Sequence, residues 1–143
     1  MADIQAESLS AKVPNGETQV PLAVIVVDDS DMFRRITVNF LKDCPEVQVV
    51  GEASSFGEAI KMIAELTPDV TIMDVHMPDH KNLTAEEIRK GCEKSRVLAI
   101  SIYDDEETAE LAAKFGAYAF LEKGNLSTKL IPVLHEIGKV SAN

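Results

Sequence analysis

The stretch LAVIVVDD, residues 22–29, leads from six apolar residues, four of them β-branched, into two adjacent aspartates. Two later apolar runs end in a similar way: residues 70–73 precede Asp74, and residues 117–121 precede a Glu-Lys pair. Binding sites in open α/β sheets lie outside the carboxyl ends of the strands. If the three runs are parallel strands of one sheet, their aspartates and the lysine therefore meet at a single sheet edge.

Short β-branched runs alternate with segments of helical period from residue 22 onward. This alternation predicts an α/β fold, a doubly wound (βα)5 sheet of five parallel strands with helices on both faces. In the strand order 2-1-3-4-5 the switch point lies between the first and third strands, beside Asp29 and Asp74. The predicted strands are residues 22–27, 47–50, 70–73, 96–102 and 117–121.

Helix signals follow the predicted strands. Residues 55–58 and 84–87 have the Ser/Thr-x-x-Glu form of a capping box. Gly116 is expected to end the fourth helix in the left-handed conformation, and Pro132 is expected in or near the first turn of the last helix. The first helix is expected to begin near Ser30. Its predicted apolar stripe consists of Met32, Phe33, Ile36, Phe40 and Leu41.

Composition limits the class of protein. A chain of 143 residues that is 45% hydrophobic is long enough for one domain with a substantial core. Residues 1–20 lack sustained periodicity and are predicted to form a mobile N-terminal tail, which leaves residues 21–143 as the domain. The net charge of -10 disfavours nonspecific binding to nucleic acid or anionic lipid.

The sequence carries no signal-peptide pattern and no apolar run long enough to cross a bilayer. Cys44 and Cys92 have neither CxxC spacing nor the density of a disulfide framework, so we expect ordinary thiols in a reducing compartment. These features together predict a soluble, cytoplasmic protein without a membrane partner.

The residues at the predicted sheet edge suggest phosphoryl chemistry. Asp28, Asp29 and Asp74 would repel one another unless they shared a cation, and the hard oxygen donors favour Mg²⁺. Asp29 is the better direct ligand, with Asp28 acting directly or through water. Asp74 is placed to attack phosphorus and become an acyl phosphate, Lys123 to pair with the phosphoryl oxygens, and Ser101 to donate its hydroxyl.

Each residue also has a purely structural explanation. Residues 29–31 fit a helix cap, Asp74 a turn, and Lys123 a solvated surface charge. His76 and His80 stand four apart and suggest a transition-metal site, but Pro78 between them prevents the helical spacing that brings such pairs together. The joint arrangement at four strand ends favours the phosphoryl site.

Four sequence blocks resemble the receiver domain of two-component response regulators. They occur in the expected order and with roughly the expected spacing, and the resemblance extends over about residues 22–140, nearly all of the chain outside the predicted tail. A bulky Ile102 after Ser101, and Gly124 in place of a proline after Lys123, resemble the NarL/LuxR-type subgroup. The blocks are VIVVDDSD (residues 24–31), TIMDVHMPD (71–79), VLAISIYDD (97–105) and GAYAFLEK (116–123).

The resemblance assigns a role to each matching residue. It implies a phosphoacceptor, a Mg²⁺ site, a switch pair and a phosphate-binding lysine. These are Asp74 as the acceptor; Asp28, Asp29, Asp74 and the backbone carbonyl of His76 as metal ligands; Ser101 and Phe120 as the switch hydroxyl and aromatic; and Lys123 as the lysine.

The resemblance further implies a signalling module rather than an enzyme that turns over substrate. Asp74 would accept a phosphoryl group from a phosphohistidine of a sensor histidine kinase, and the module would catalyse its own dephosphorylation. A phosphorylation-dependent homodimer would use the face formed by the fourth helix, fifth strand and fifth helix. DNA binding would require an output domain outside these 143 residues.

Other functions remain open from the residues alone. A nucleotide or flavin carrier would need a glycine-rich phosphate cradle after the first strand, where aspartates stand instead. A phosphohydrolase would usually need a carboxylate two residues after its nucleophile, where this chain has His76. A pseudo-receiver, or protein-interaction module, would work without phosphorylation, although the acidic and basic residues are all present.

The residues around the acceptor predict a long-lived phosphoryl group. His76 and Tyr103 flank the acceptor and switch positions, where receiver domains tune this lifetime, and both are large enough to hinder an attacking water. We therefore expect slow self-hydrolysis. The segment of residues 79–82 lacks the Asp-Gly turn of many receivers, so we also expect a different entry into the third helix.

Overall fold

The computed structural model describes residues 20–141, with side chains described as far as Lys139. The predicted tail, residues 1–20, lies outside this range except for Val20, so the tail stays a prediction. The strands are β1 (Leu22–Val27), β2 (Val47–Ala53), β3 (Val70–Asp74), β4 (Arg96–Ser101) and β5 (Ala119–Glu122). The helices are α1 (Asp31–Lys42), α2 (Phe56–Leu66), α3 (Ala85–Gly91), α4 (Glu106–Lys114) and α5 (Leu126–Ser141).

The strands form one parallel sheet in the order β2-β1-β3-β4-β5. The predicted fold class and strand order are therefore confirmed. Val27 pairs with Met73, and Met73 pairs with Ala99, so the carboxyl ends of β1, β3 and β4 lie side by side. The residues that follow these positions consequently share one edge of the sheet.

Helices cover both faces of the sheet because alternate strand residues point in opposite directions. Ile25 and Val27 belong to an apolar core that includes buried residues of α2, α3 and α4. Val24 and Val26 belong to a second core that includes buried residues of α1 and α5. The site at the carboxyl edge is thus supported by rigid packing from both sides.

The predicted buried stripe of α1 is partly wrong. Met32 and Ile36 are 69% and 55% exposed, and Phe40 is also exposed. Apolar residues occupy two adjacent rows of this helix, and the sheet takes the row that contains Thr37 and Leu41, both of which are buried. Thr37 is accepted there because its hydroxyl donates to the carbonyl of residue 33 in the preceding turn, at 2.9 Å.

The predicted position of Pro132, in or near the first turn of the last helix, is also wrong. Helix α5 begins at Leu126, directly after a short 3₁₀ helix, so Pro132 is its seventh residue rather than part of its first turn. A proline there leaves the carbonyl of Thr128, four residues earlier, without its helical donor. Pro132 lies on the exposed face of the helix, where water can reach that carbonyl.

Some element boundaries differ from the predictions. Strand β2 continues three residues further, because Gly51 to Ala53 pair with the second half of β1. Strand β5 begins at Ala119, two residues later than predicted. The capping box of α3 is confirmed, and Gly116 has the expected left-handed φ of 80°. At α2 Ser55 caps the helix, but the Glu58 carboxylate accepts from Ser54 instead.

Cys44 and Cys92 are both buried and free. Burial raises the pKa of the Cys92 thiol to about 11, which makes it a weak nucleophile at neutral pH. Within residues 20–141, no helix combines the length and the apolar character that crossing a membrane requires.

Candidate functional site

Three aspartates meet at the carboxyl edge of the sheet. Asp28 and Asp29 directly follow β1, and Asp74 is the last residue of the neighbouring strand β3. Carboxylate oxygens of the three residues all lie within 4.8 Å of one another. The structure therefore brings together the acidic residues that the sequence placed at separate strand ends.

Asp28 is fully buried and firmly held. Its Oδ1 accepts a hydrogen bond from the backbone N–H of Ser30 at 2.9 Å. Its Oδ2 lies 2.8 Å from Nζ of Lys123, within ion-pair distance, yet accepts no well-directed hydrogen bond from any described residue. A buried carboxylate oxygen in this condition has a lone pair free for a cation.

Asp74 is 7% exposed and is held at both oxygens. Oδ1 accepts from the backbone N–H of His76 at 2.8 Å, and Oδ2 accepts from Nζ of Lys123 at 2.9 Å. Burial raises the pKa of this carboxyl, although the two donors act in the opposite direction. Asp74 is thus a carboxylate that the fold has partly desolvated, and it faces an ammonium.

The side chain of Lys123 is only 9% exposed. Burial by itself would lower the pKa of its ammonium, but the close carboxylates of Asp28 and Asp74 raise the pKa overall. The lysine therefore stays protonated at neutral pH. Its single positive charge cannot balance three ionised carboxylates, so the cluster keeps excess negative charge.

Arg34 stabilises the loop after β1, which carries Asp28 and Asp29. This role of Arg34 was not identified from the sequence. Its guanidinium donates to the backbone carbonyl of Asp28 at 2.6 Å and to the carboxylates of Asp31 and Glu52. The Arg34 contacts tie the end of β1 to α1 and to β2. The spacing of three residues between Asp31 and Arg34 was a usable signal, whereas the contact with Glu52 depends on the tertiary fold.

Ser101 ends β4 and is 1% exposed. Its hydroxyl accepts a hydrogen bond from the backbone N–H of Tyr103 at 3.0 Å. Phe120 lies on β5, is partly buried and packs against the core beside α2, α3 and α4. Among the described residues, Ser101 lines the cavity above Asp74, whereas Phe120 does not.

His76 is exposed and connects two segments that flank Asp74. Its Nε2 lies 3.2 Å from the Thr108 hydroxyl on α4, and its ring meets the Tyr103 ring edge-on at 5.5 Å. Thr108 is buried and gave no signal in the sequence. The His76 backbone N–H is directed at Asp74, as described above, while the side chain forms part of the rim.

His80 does not approach the acidic cluster. Its ring packs edge-on against Phe56 and Phe115, and its Nδ1 lies 2.9 Å from the carbonyl of Leu83. The preceding Asp79 accepts from the first backbone N–H groups of α2. This loop contains a short 3₁₀ helix, Pro78–Lys81, which precedes α3. The difference from other receivers at this entry stays a prediction.

A groove of about 530 Å³ opens above the cluster. Two larger grooves, of about 740 and 820 Å³, lie elsewhere on the surface and do not include the three aspartates. The charged groups converge in the smaller groove, which makes it the candidate site. Its lining includes Asp28, Asp29, Asp74, Ser101 and Lys123, together with apolar residues of α1 and of the loop after β4.

The residues fit a divalent cation. Asp28 Oδ2 is buried without a hydrogen bond, and Asp29 offers an exposed carboxylate beside it. All the donors are hard oxygens, and excess negative charge would be relieved by a bound ion. Mg²⁺ is the ion that such a set, together with a phosphate oxygen, usually holds.

Comparison with protein families gives a match over most of the chain. The family model described as response regulator receiver domain matches residues 24–135. The nitrate/nitrite response regulator protein NarL of Escherichia coli K12 is 30% identical over 119 residues, covering 82% of this chain and 55% of the relative. The response regulator GacA of Pseudomonas viridiflava is 34% identical, covering 72% and 49%. The chain thus spans about half the length of these curated relatives.

Solved structures give the same picture. The signal receiver domain of a response regulator NarL from Mycobacterium tuberculosis superimposes with a TM-score of 0.73 and 29% identity, covering 83% of this chain and 97% of that one. The response regulator domain of Thermotoga maritima CheB gives a TM-score of 0.68 and 27% identity, covering 87% and 98%.

Proposed function

The chain belongs to the response regulator receiver domain family of two-component signalling, and from this premise we propose that it is a phosphorylation-switched module with Asp74 as the phosphoacceptor. The phosphoryl group would come from a phosphohistidine of a sensor histidine kinase. The reaction would depend on Mg²⁺, and the module would catalyse its own dephosphorylation.

One observation supports the proposal most strongly. The Asp74 carboxylate is buried between a backbone N–H and the Lys123 ammonium, and two further aspartates place oxygens within 4.8 Å. A carboxylate needed only for structure would be expected to be fully neutralised by its partners. This cluster instead retains negative charge and opens into a groove, as a site that recruits a cation and a phosphoryl group requires.

The positions of the side chains support a specific course for the proposed transfer. An Asp74 oxygen attacks phosphorus and a new O–P bond forms, while the P–N bond to the donor imidazole breaks and its electron pair returns to the nitrogen. Lys123 then pairs with phosphoryl oxygens. The Ser101 hydroxyl accepts from the Tyr103 N–H and keeps its own hydrogen to donate to another phosphoryl oxygen. Asp28, Asp29, Asp74 and the His76 carbonyl would hold Mg²⁺, and that ion would supply charge neutralisation to the phosphoryl oxygens.

The rim of the groove supports a protein donor. Met32 and Ile36 of α1, and Ile102 after β4, line the groove and are 69%, 55% and 63% exposed. Apolar side chains around a charged pocket are typical of a protein interface. A kinase domain that carries phosphohistidine is the occupant we propose for this rim, because the phosphoryl group must be delivered through the same groove.

The module is proposed to act as a regulator rather than as an enzyme with a separate substrate. Some relatives, such as the protein-glutamate methylesterase of Pseudoalteromonas atlantica, have enzymatic names, but this chain covers only 16% of that protein. Downstream, we propose a phosphorylation-dependent homodimer through the face of α4, β5 and α5. Contact with DNA would require an output domain outside this sequence.

The experiment is mass spectrometry after incubation with acetyl phosphate and Mg²⁺. We expect the native chain to gain one phosphoryl group, Asp74→Asn to gain none, and Asp104→Asn, an exposed aspartate in the neighbouring loop, to behave as native. Omission of Mg²⁺ should prevent the gain. Phosphorylation of Asp74→Asn to the native extent would overturn the assignment. A pseudo-receiver would show no modification and no response to beryllofluoride with Mg²⁺.

A further inference from the structure

We infer that Phe33 is a positioning residue for the proposed phosphoryl transfer, because its ring holds the Lys123 ammonium in place while that ammonium exchanges Asp74 for the transferred group. The inference rests on the proposed function and adds a residue to it. Phe33 then has a role beyond its place in the apolar stripe of α1.

The geometry joins the ring directly to the charge. The centroid of the Phe33 ring lies 4.2 Å from Nζ of Lys123, within the range of a cation–π contact. The two carboxylates that contact the same ammonium lie at 2.8 and 2.9 Å. The ring therefore provides a third contact with an ammonium that has very little solvent around it.

The proposed phosphoryl transfer affects the three contacts of the Lys123 ammonium differently. When an Asp74 oxygen bonds to phosphorus, the carboxylate loses the full charge that holds Lys123, and the ammonium must follow the phosphoryl oxygens. The face of an aromatic ring carries fixed partial negative charge and takes no part in the transfer. The Phe33 contact is thus available to the lysine before, during and after the step.

Phe33 packs against the core that contains Leu41 and the buried residues of α5, but it also belongs to the lining of the groove. The ring is only half-buried and lines the groove, whereas the same row of α1 continues into the core with Thr37 and Leu41. Phe40 offers a comparison on the same helix. It is also a partly accessible phenylalanine, it is absent from the groove lining, and no cation lies over its ring among the described residues.

The main variant in the test weakens the negative charge on the face of the Phe33 ring while nearly preserving the ring's shape. Phe33 is replaced with 3,4,5-trifluorophenylalanine, and in separate variants Phe33→Tyr and Phe33→Leu are made, with the trifluoro replacement and Leu at Phe40 as matched controls. The measurements are calorimetric affinities for Mg²⁺ alone and for beryllofluoride in saturating Mg²⁺, followed by KM and kcat with acetyl phosphate.

We expect trifluoro and Leu variants at Phe33 to weaken beryllofluoride about fivefold, the size of a partly desolvated cation–π contact, while Mg²⁺ affinity stays native. Phe33→Tyr should remain close to native, and both Phe40 variants should be unaffected. Native beryllofluoride affinity in the trifluoro variant would overturn the inference, as would equal weakening of Mg²⁺ and beryllofluoride. If the unmodified chain binds no beryllofluoride, the proposed function itself fails.

Discussion

The two ends of the central sheet bury polar side chains in opposite ways. Near its amino end, β3 carries Thr71, whose hydroxyl lies 2.7 Å from the hydroxyl of Ser95, and both residues are buried. At its carboxyl end the same strand carries Asp74, which shares one lysine with Asp28. The first pair is neutral and mutually satisfied, whereas the second cluster is charged and retains an oxygen without a hydrogen bond.

Within the single strand β3, this difference separates a stabilising contact from one that we propose is functional. A satisfied neutral pair contributes to stability and offers nothing to a ligand. A cluster with excess negative charge costs stability when it is empty, but it can bind a cation and a phosphoryl group. We therefore expect mutations at the two ends of β3 to differ in sign and in their response to Mg²⁺.

The largest effect is expected for Lys123→Met. Without the ammonium, Asp28 and Asp74 face each other uncompensated, so the free energy of unfolding in EDTA should fall by about 3 kcal/mol. Added Mg²⁺ should restore part of this loss, because a cation can take over the role of the ammonium. Urea unfolding with and without Mg²⁺ measures both effects.

Lys129→Met is the control for the loss of a lysine. Lys129 is exposed on α5, so its replacement should leave stability within a few tenths of a kcal/mol. Equal destabilisation by the two substitutions, or a Lys123→Met variant that ignores Mg²⁺, would contradict the electrostatic account of the carboxyl edge.

Next in size is Thr71→Val at the amino end. The substitution leaves the Ser95 hydroxyl buried without its partner, so we expect a loss of about 1 to 2 kcal/mol. Adding Ser95→Ala should recover most of that loss, because both polar groups are then gone. Mg²⁺ should change none of these values. If the stability of Thr71→Val depended strongly on Mg²⁺, the proposed difference between the two ends of β3 would be contradicted.

A smaller effect of opposite sign is expected for Asp74→Asn. Burial raises the pKa of the Asp74 carboxyl, so the folded state binds a proton at Asp74 more tightly than the unfolded state does. The stability that this preference contributes is present at low pH and is lost as the pH rises through the folded-state pKa. In EDTA near neutral pH, Asp74→Asn should therefore be more stable than the native chain by about 1 kcal/mol.

The pH dependence supplies the check on Asp74→Asn. Its advantage should shrink as the pH falls toward the ordinary range of an aspartate pKa, and Mg²⁺ should reduce it by stabilising only the native chain. Asp69→Asn is the control near the amino end, where the Asp69 carboxylate accepts from the backbone N–H of Ala23 at 2.8 Å. Asp69→Asn should not increase the free energy of unfolding.

The sequence was sufficient to predict the sheet and the residues at its carboxyl edge. Apolar runs that end in Asp28 and Asp74 fix where two strands stop, and parallel pairing then brings those ends together. Strand order and the meeting of the aspartates are consequences of backbone topology. This part of the prediction does not depend on side-chain conformations.

The supporting contacts could not be predicted in the same way. Phe33 was assigned to an apolar stripe, since periodicity does not reveal which of two adjacent rows faces the sheet or what lies above a ring. The bond between His76 and Thr108 joins residues 32 apart and depends on how α4 is seated. Phe120 was named from the resemblance alone, and its place outside the groove follows from the direction of the β5 side chains.

The smallest expected effect concerns the rim of the carboxyl edge. His76→Ala combined with Tyr103→Ala removes two rings that meet edge-on at 5.5 Å beside Asp74, the proposed acceptor. If these rings hinder water, the double variant should lose its phosphoryl group about threefold faster, equivalent to roughly 0.7 kcal/mol of barrier. The measurement is the decay of phosphorylated protein by mass spectrometry after removal of acetyl phosphate.

A matched control removes the same residue types elsewhere. His135 and Tyr118 are both exposed and lie outside the groove lining, so their double replacement by Ala should leave the decay rate native. Thr108→Val adds an intermediate case, since it frees the His76 ring without removing it. An unchanged decay rate in the His76 and Tyr103 double variant would mean that the buried carboxylate cluster, rather than its rim, controls the access of water.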